Sequence, residues 1–202
     1  VIIRLMKEPY RWDSHSDQPY PIQDKEYKKK MRKSQIGSIA KTFLISLFIL
    51  PLSVVMTPFV KRKKIDSKEF FCIGIDYQRE SKATLKLIEE LGVDRVLIRF
   101  KLWEMNTLYE LESFILKLKD KKITLKIIQD REHIEDLELL KKDLETVFRK
   151  LSLHVDIFEI GTTINRTKWG FFSVDEYSRF FQVAHDLKTL KFPHVKLIGS
   201  GV

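Results

Sequence analysis

From Thr42 to Val60 the chain runs nineteen residues, TFLISLFILPLSVVMTPFV, without a charge. Wound as a helix at about 1.5 Å per residue, the stretch is about 28 Å long, close to the thickness of a hydrocarbon core. Pro51 and Pro58 disfavour a soluble helix but are tolerated within a bilayer. A core helix of this length would keep a polar face, and this one has none. No small-residue cleavage pattern follows; Lys61-Arg62-Lys63-Lys64 does. The expected element is an uncleaved transmembrane helix over 42–60. Residues 1–41 read as a polar, flexible tail and 61–69 as a basic linker.

After the linker the pattern changes to short apolar runs alternating with amphipathic helices. Phe70–Tyr77 reads as a strand, and Ser81 to Leu91 as a helix stopped by Gly92. Arg95–Trp103 is a second strand, with Thr107 and Glu110 as a capping box for a helix to about Lys119. Lys122–Gln129 is a third strand. Leu137, Leu140, Leu144, Val147, Phe148 and Leu151 recur at helical spacing over Asp136–Leu151. Val155–Gly161 is a fourth strand. Ser173 and Glu176 form a second capping box, for a helix to about Leu190, and Val195–Ile198 begins a fifth strand.

Such alternation implies an α/β fold with a parallel sheet and right-handed crossovers. One side of the strands is apolar: Ile73 and Ile75; Val96, Ile98 and Phe100; Ile123, Leu125 and Ile127; Phe158 and Ile160. The other carries Gly74 and Asp76; Arg99 and Lys101; Thr124 and Lys126; Glu159, Gly161 and Thr163. A doubly wound sheet, covered by helices on both faces, would be apolar both ways. The asymmetry favours a partial (β/α)8 TIM barrel, about strands one to five, behind a single transmembrane helix. Asp76, Arg99, Lys126 and Glu159 would then share one interior, and buried charges survive there only when paired. At least one ion pair is expected, Glu159 with Arg99 or Lys126.

Charge refines the picture. The net charge is +9, and residues 1–70 hold 15 Lys/Arg against 7 Asp/Glu. The basicity therefore flanks the apolar stretch, where it suits anionic lipid headgroups, and gives no support for nucleic-acid binding by the folded part. Seven basic residues in the flank 25–41 against five in 61–68 favour a cytoplasmic amino terminus and an external domain. The single cysteine, Cys72, excludes an internal disulfide and reads as a small core residue. His133, His154, His185 and His194 lack ligand spacing and read as surface or loop, and no metal or cofactor is expected. Neither a glycine-rich nucleotide motif nor a nucleophile elbow occurs.

In barrels, sites lie at the carboxy ends of strands. Those ends are Asp76-Tyr77, Lys101–Glu104, Gln129-Asp130-Arg131 and Gly161–Trp169. The segments FEIGTTINRTKWG and DEYSRFFQVAHDLKTLKFPHVKLIGSG resemble the fourth-strand region and following helix of retaining glycoside hydrolases of clan A. The resemblance covers about residues 70–202. It implies a glycan ligand and an Asn-Glu pair closing the strand, the Glu being the acid/base. Here Thr162 and Thr163 stand at those positions. A threonine hydroxyl has no proton-transfer pKa for that task, and retaining hydrolysis needs two carboxyls about 5 Å apart. Glu159 shares Thr163's parity but lies deeper.

A sugar-binding surface is the remaining expectation. Trp103 and Trp169 would stack on pyranose faces, and Asp76, Arg99, Gln129, Arg131, Thr163, Asn165 and Arg166 would line the mouth. The alternative for each tryptophan is packing at a strand–helix junction. A chain opening on Val1 and closing at Val202 is expected to be incomplete, with Met6 as an alternative start. About 120 further residues would finish a barrel of about 250. The expected function is a membrane-anchored, glycoside-hydrolase-like domain acting on or binding a glycan. A non-catalytic binding or scaffolding protein, or another barrel enzyme whose catalytic groups lie beyond the chain, are the alternatives.

Overall fold

In the computed structural model, residues 12–13, 15–60, 71–79, 81–118 and 120–201 are described. The expected basic linker, Phe70 and the first eleven residues of the tail lie outside them. The chain forms two compact units, one of residues 22–66 and one joining 1–21 to 67–202.

The first unit is a helix, α1 (Lys25–Met56), continued by a 3₁₀ turn over Thr57–Phe59. It is long and apolar enough to cross a membrane. It starts well before the apolar stretch, because Lys, Glu, Met, Arg and Gln are strong helix formers and Asp24 caps them, accepting from the Tyr27 N–H at 2.9 Å. The part of the expected tail from Lys25 onward is thus helical. Within the apolar stretch, Thr42, Ser53 and Thr57 donate their hydroxyls to helix carbonyls at 2.7–2.9 Å. That satisfies them without water. Pro58 falls at the start of the 3₁₀ turn, where its missing N–H costs nothing.

The second unit is α/β. Two-residue strands β1 (Trp12–Asp13) and β2 (Gln18–Pro19) pair antiparallel. A five-stranded parallel sheet follows, in the order β3 (Ile73–Ile75), β4 (Arg95–Lys101), β5 (Lys122–Ile128), β6 (Ile157–Ile160), β7 (Leu197–Gly199). The helices are α2 (Ser81–Leu91), α3 (Leu108–Ile115), α4 (Arg131–Glu135), α5 (Leu137–Leu151) and α6 (Val174–Lys191).

Strand order follows chain order without reversal, so among the described strands there is no switch point of the doubly wound kind. Crossovers of one hand then place their helices on one face. Burial agrees: Val96, Ile98, Phe100, Leu125, Ile127, Phe158 and Ile160 are fully buried in a core completed by Leu140, Leu144, Phe148, Phe180 and Ala184 from α5 and α6. The opposite face carries Arg99, Lys126 and Glu159 as register partners on β4, β5 and β6.

The elements depart from the expected ones mostly at their ends. The first strand is three residues long, and the fourth begins at Ile157 because Asp156 turns its carboxylate back to the Ile123 N–H at 2.7 Å. The second strand stops at Lys101 and passes into a 3₁₀ segment, Leu102–Thr107. There the expected Thr107–Glu110 capping box does not form: the Thr107 hydroxyl bonds the Glu104 carbonyl (2.8 Å) and the Tyr77 hydroxyl (2.7 Å) instead. The other box forms halfway. Ser173 accepts from the Glu176 N–H, while the Glu176 carboxylate accepts from the Phe172 N–H and pairs with Arg131. Cys72, expected in the core, is exposed, because it precedes the short β3 and is not part of its buried face.

Candidate functional site

The carboxy ends of the sheet strands gather most of the residues the sequence singled out, but in two different roles. Beyond β3 and β4 lies a cleft of about 260 Å³ lined by Asp76, Tyr77, Gln78, Arg99, Lys101 and Glu104, among others. Gln78 ties its rim together. Its N–H donates to Asp76 (3.0 Å) and its side-chain amide to Glu104 (3.0 Å). Asp76 also pairs with Arg79 at 3.3 Å. The Tyr77 hydroxyl, buried and bonded to Thr107, has its pKa pushed up to about 12, chiefly by burial, so it stays neutral in the physiological range.

Beyond β5 and β6, polar side chains hold a loop. The Gln129 amide is fully buried; it donates to the carbonyls of Thr162 (3.0 Å) and Trp169 (2.6 Å) and accepts from the Thr162 N–H (2.9 Å). Arg131 donates to the Gly170 carbonyl (2.7 Å), pairs with Glu176 (3.0 Å) and Glu135 (2.9 Å), and lies 4.4 Å from the Phe172 ring centroid. Both residues were expected to face a sugar, and both are spent on the backbone of the Gly161–Trp169 loop and its sequel. Gly161 turns that loop at φ 79°, where an added Cβ would lie 3.1 Å from Tyr177. Asn165 and Arg166 are exposed on its outside.

Thr163, at the position where the resemblance places an acid/base carboxylate, is half-buried. It takes φ 50°, a left-handed value costly for a β-branched residue, and its hydroxyl lies 3.1 Å from that of Thr162. Glu159, which shares Thr163's parity, is buried and committed. Its Oε1 accepts from Lys126 Nζ at 3.0 Å and from the Gly201 N–H at 2.9 Å. That is the ion pair expected from strand parity, formed with Lys126.

Arg99 turns elsewhere, to a segment that sequence patterning had left in the tail. Asp17, at φ 51°, pairs with Arg99 at 2.6 Å and with Lys101 at 3.1 Å. Trp12 packs edge-on against Trp103 (centroids 4.9 Å apart) and Trp169 (5.6 Å). Lys168 donates to Gln18 at 3.0 Å, and Arg79 to the His15 carbonyl at 3.0 Å. Trp169 is therefore buried by packing, the alternative weighed for it, and Trp103 is half-buried. The only local signals for this arm were an aromatic and an acid in a stretch poor in aliphatics.

His133 is a further correction. Expected at the surface, it is fully buried, its Nδ1 2.8 Å from Asp130 and its Nε2 3.1 Å from Asp143. The five residues of α4 are too few for a helical period, so nothing in the pattern marked its inner face. Among the described residues no cluster of three His, Cys, Asp or Glu side chains could hold a metal ion. In the comparisons with known proteins, no family model, curated protein or solved structure matches the chain.

Proposed function

We propose that this chain is a membrane-anchored carbohydrate-binding domain, the first half of a (β/α)8 barrel, which holds a glycan at its strand ends without hydrolysing it. The observation that carries the reading is the cleft at the ends of β3 and β4. Donors and acceptors from Asp76, Gln78, Arg99, Lys101 and Glu104 converge there, and the Trp12 ring, its centroid 5.6 Å from Lys101 Nζ, packs edge-on against Trp103. Convergent polar groups next to an aromatic face suit a ligand of hydroxyls and C–H faces. The unbroken strand order and the single apolar face of the sheet support the barrel. Thr163, and the commitment of Glu159 to Lys126 and Gly201, support binding without hydrolysis.

In this reading α1 crosses the bilayer once, with the amino terminus cytoplasmic and the five-stranded sheet outside, as the flanking charges favour, and the segment of residues 12–19 leaves the sheet when it does so. The test uses the full chain in lipid nanodiscs on an array of saccharides. Retention on at least one saccharide is expected, lost in Asp76→Ala and in Trp103→Ala, with no release of the aglycone from aryl glycosides. A chain that retains no saccharide overturns the reading, and aglycone release overturns its non-catalytic part. Protease cleavage of the α/β unit from outside sealed vesicles checks the orientation.

A further inference from the structure

Trp12 to Gln18 present two chemical features to the strand ends, a flat indole and a carboxylate. The Asp17 carboxylate lies between Arg99 Nη1 (2.6 Å) and Lys101 Nζ (3.1 Å). The Trp12 ring sits between Trp103 and Trp169, with the Arg99 guanidinium 5.9 Å and the Lys101 ammonium 5.6 Å from its centroid. We propose that this arm is a removable internal occupant of a ligand site, and that the ligand replacing it is a sugar bearing a carboxylate. The proposal rests on the glycan reading above and names the class of glycan.

The arm's own backbone pairing is slight, and side chains of the sheet and its loops hold it: Arg99 donates to the Asp17 carbonyl at 3.0 Å as well as pairing with its carboxylate, Lys168 bonds Gln18, and Arg79 bonds the His15 carbonyl. Its strands are two residues each, and so short a pairing has little stability of its own. Trp12 Nε1 is buried without a hydrogen-bond partner among the described residues. The groups beneath the arm are better placed. The side chains of Arg99 and Lys101 are 30% and 10% exposed, and partly buried cations gain most from a charge-assisted partner. When the arm leaves, Lys101 retains Glu104 at 3.5 Å, whereas Arg99 loses the carboxylate that faces it. The indoles of Trp103 and Trp169 lose the ring packed against them.

A pyranose uronate restores both contacts. Its C–H face covers an indole, and its carboxylate accepts from the guanidinium fork as Asp17 does. A neutral sugar restores only the first. An acidic peptide is the rival occupant, since the arm is itself one.

The chain's 3 tryptophans all lie in this cluster, so intrinsic fluorescence reports directly on it. The full chain synthesised without membranes, where the arm is docked, is titrated as wild type and as Asp17→Asn with methyl glucuronide, methyl glucoside and an acidic peptide carrying phenylalanine in place of tryptophan. The glucuronide is expected to shift the emission and saturate, at a concentration about tenfold lower in Asp17→Asn, where the internal competitor is weakened. Arg99→Gln is expected to abolish the response, with its circular dichroism unchanged. Equal responses to glucoside and glucuronide would overturn the carboxylate inference and leave the glycan reading standing. No response to either sugar would overturn both. A response to the peptide alone would assign the site to a protein ligand. Should Asp17→Asn fail to fold, the wild-type comparison of glucuronide with glucoside decides the matter.

Discussion

His133 is held on both sides by carboxylates, Asp130 at Nδ1 and Asp143 at Nε2, and Asp130 also accepts from the His133 backbone N–H to cap α4. Burial is the largest influence on this imidazole and pushes its pKa down. The two aspartates together outweigh burial, and the net displacement is upward from the ordinary 6.5. The unfolded chain sheds this proton near pH 6.5 and the folded chain at higher pH, so within that window the folded state binds more protons. The stability the imidazolium contributes is therefore complete below about pH 6.5 and is lost as pH rises through the folded value. Thermal unfolding from about pH 5 to about pH 9 is expected to show a midpoint falling across that window, and His133→Gln to flatten the fall. An unchanged slope in the variant would exclude His133 as its source. Gln129 teaches the complementary lesson. Its position at a strand end was legible from the apolar run before it. The loop that would close over it was not, because the partners are backbone groups of residues 162 and 169. Gln129→Ala strands three buried backbone groups and is expected to cost about 3 kcal/mol in urea unfolding. A loss under about 1 kcal/mol would show the loop to be held by other contacts.

At the scale of elements, what the sequence made legible was periodicity, and what it hid was where each period ends. Parity placed Arg99, Lys126 and Glu159 on one face, because a strand alternates sides residue by residue whatever its length, and the register joins them as neighbours. The ends were set by competing side chains with no periodic mark, such as Asp156 reaching the Ile123 N–H and Thr107 preferring the Glu104 carbonyl to a cap. In α1 the apolar stretch was plain, while the helix start depended on propensity and the Asp24 cap. If that stretch enters a bilayer, charge at its middle is the most damaging change. Each arginine there costs about 3 kcal/mol of insertion. Leu47→Arg with Leu50→Arg is expected to move the full chain out of the carbonate-resistant membrane fraction, while the circular dichroism of the α/β unit stays as in wild type. Retention of the double variant in that fraction would mean that something other than α1 holds the protein to the membrane.

On the scale of the whole molecule, chain order and the docked arm restrict each other. Residues 12–19 precede α1 and the sheet follows it, yet both belong to one compact unit, with Asp17 2.6 Å from Arg99. A helix that crosses once sets the segments before and after it on opposite sides of a hydrocarbon layer about 30 Å thick. Docked arm and spanning helix are therefore mutually exclusive states of one chain. Magnitudes indicate which prevails when a bilayer is present. The arm offers one half-buried indole, two partly exposed ion pairs and three hydrogen bonds from Arg79, Arg99 and Lys168, each of these polar contacts worth about 1 kcal/mol or less, against the entropy of ordering its residues. The apolar stretch holds 12 Leu, Ile, Phe and Val residues, which favour insertion by roughly 5 kcal/mol together. Insertion should win, and it would open the Arg99–Lys101 site on the side where the sheet lies. Carbodiimide joins a carboxylate to an amine only where the two already touch, so the Asp17–Lys101 pair at 3.1 Å is a direct reporter. Full chain synthesised without membranes is expected to yield the Asp17–Lys101 amide, identified by mass spectrometry. Chain inserted into liposomes should yield at least about tenfold less, the factor that about 1.4 kcal/mol of preference produces. The Leu47→Arg, Leu50→Arg chain should keep the amide even with liposomes present. Equal yields before and after insertion of the wild-type chain would mean that α1 enters the bilayer without crossing it, and that the arm never leaves the strand ends.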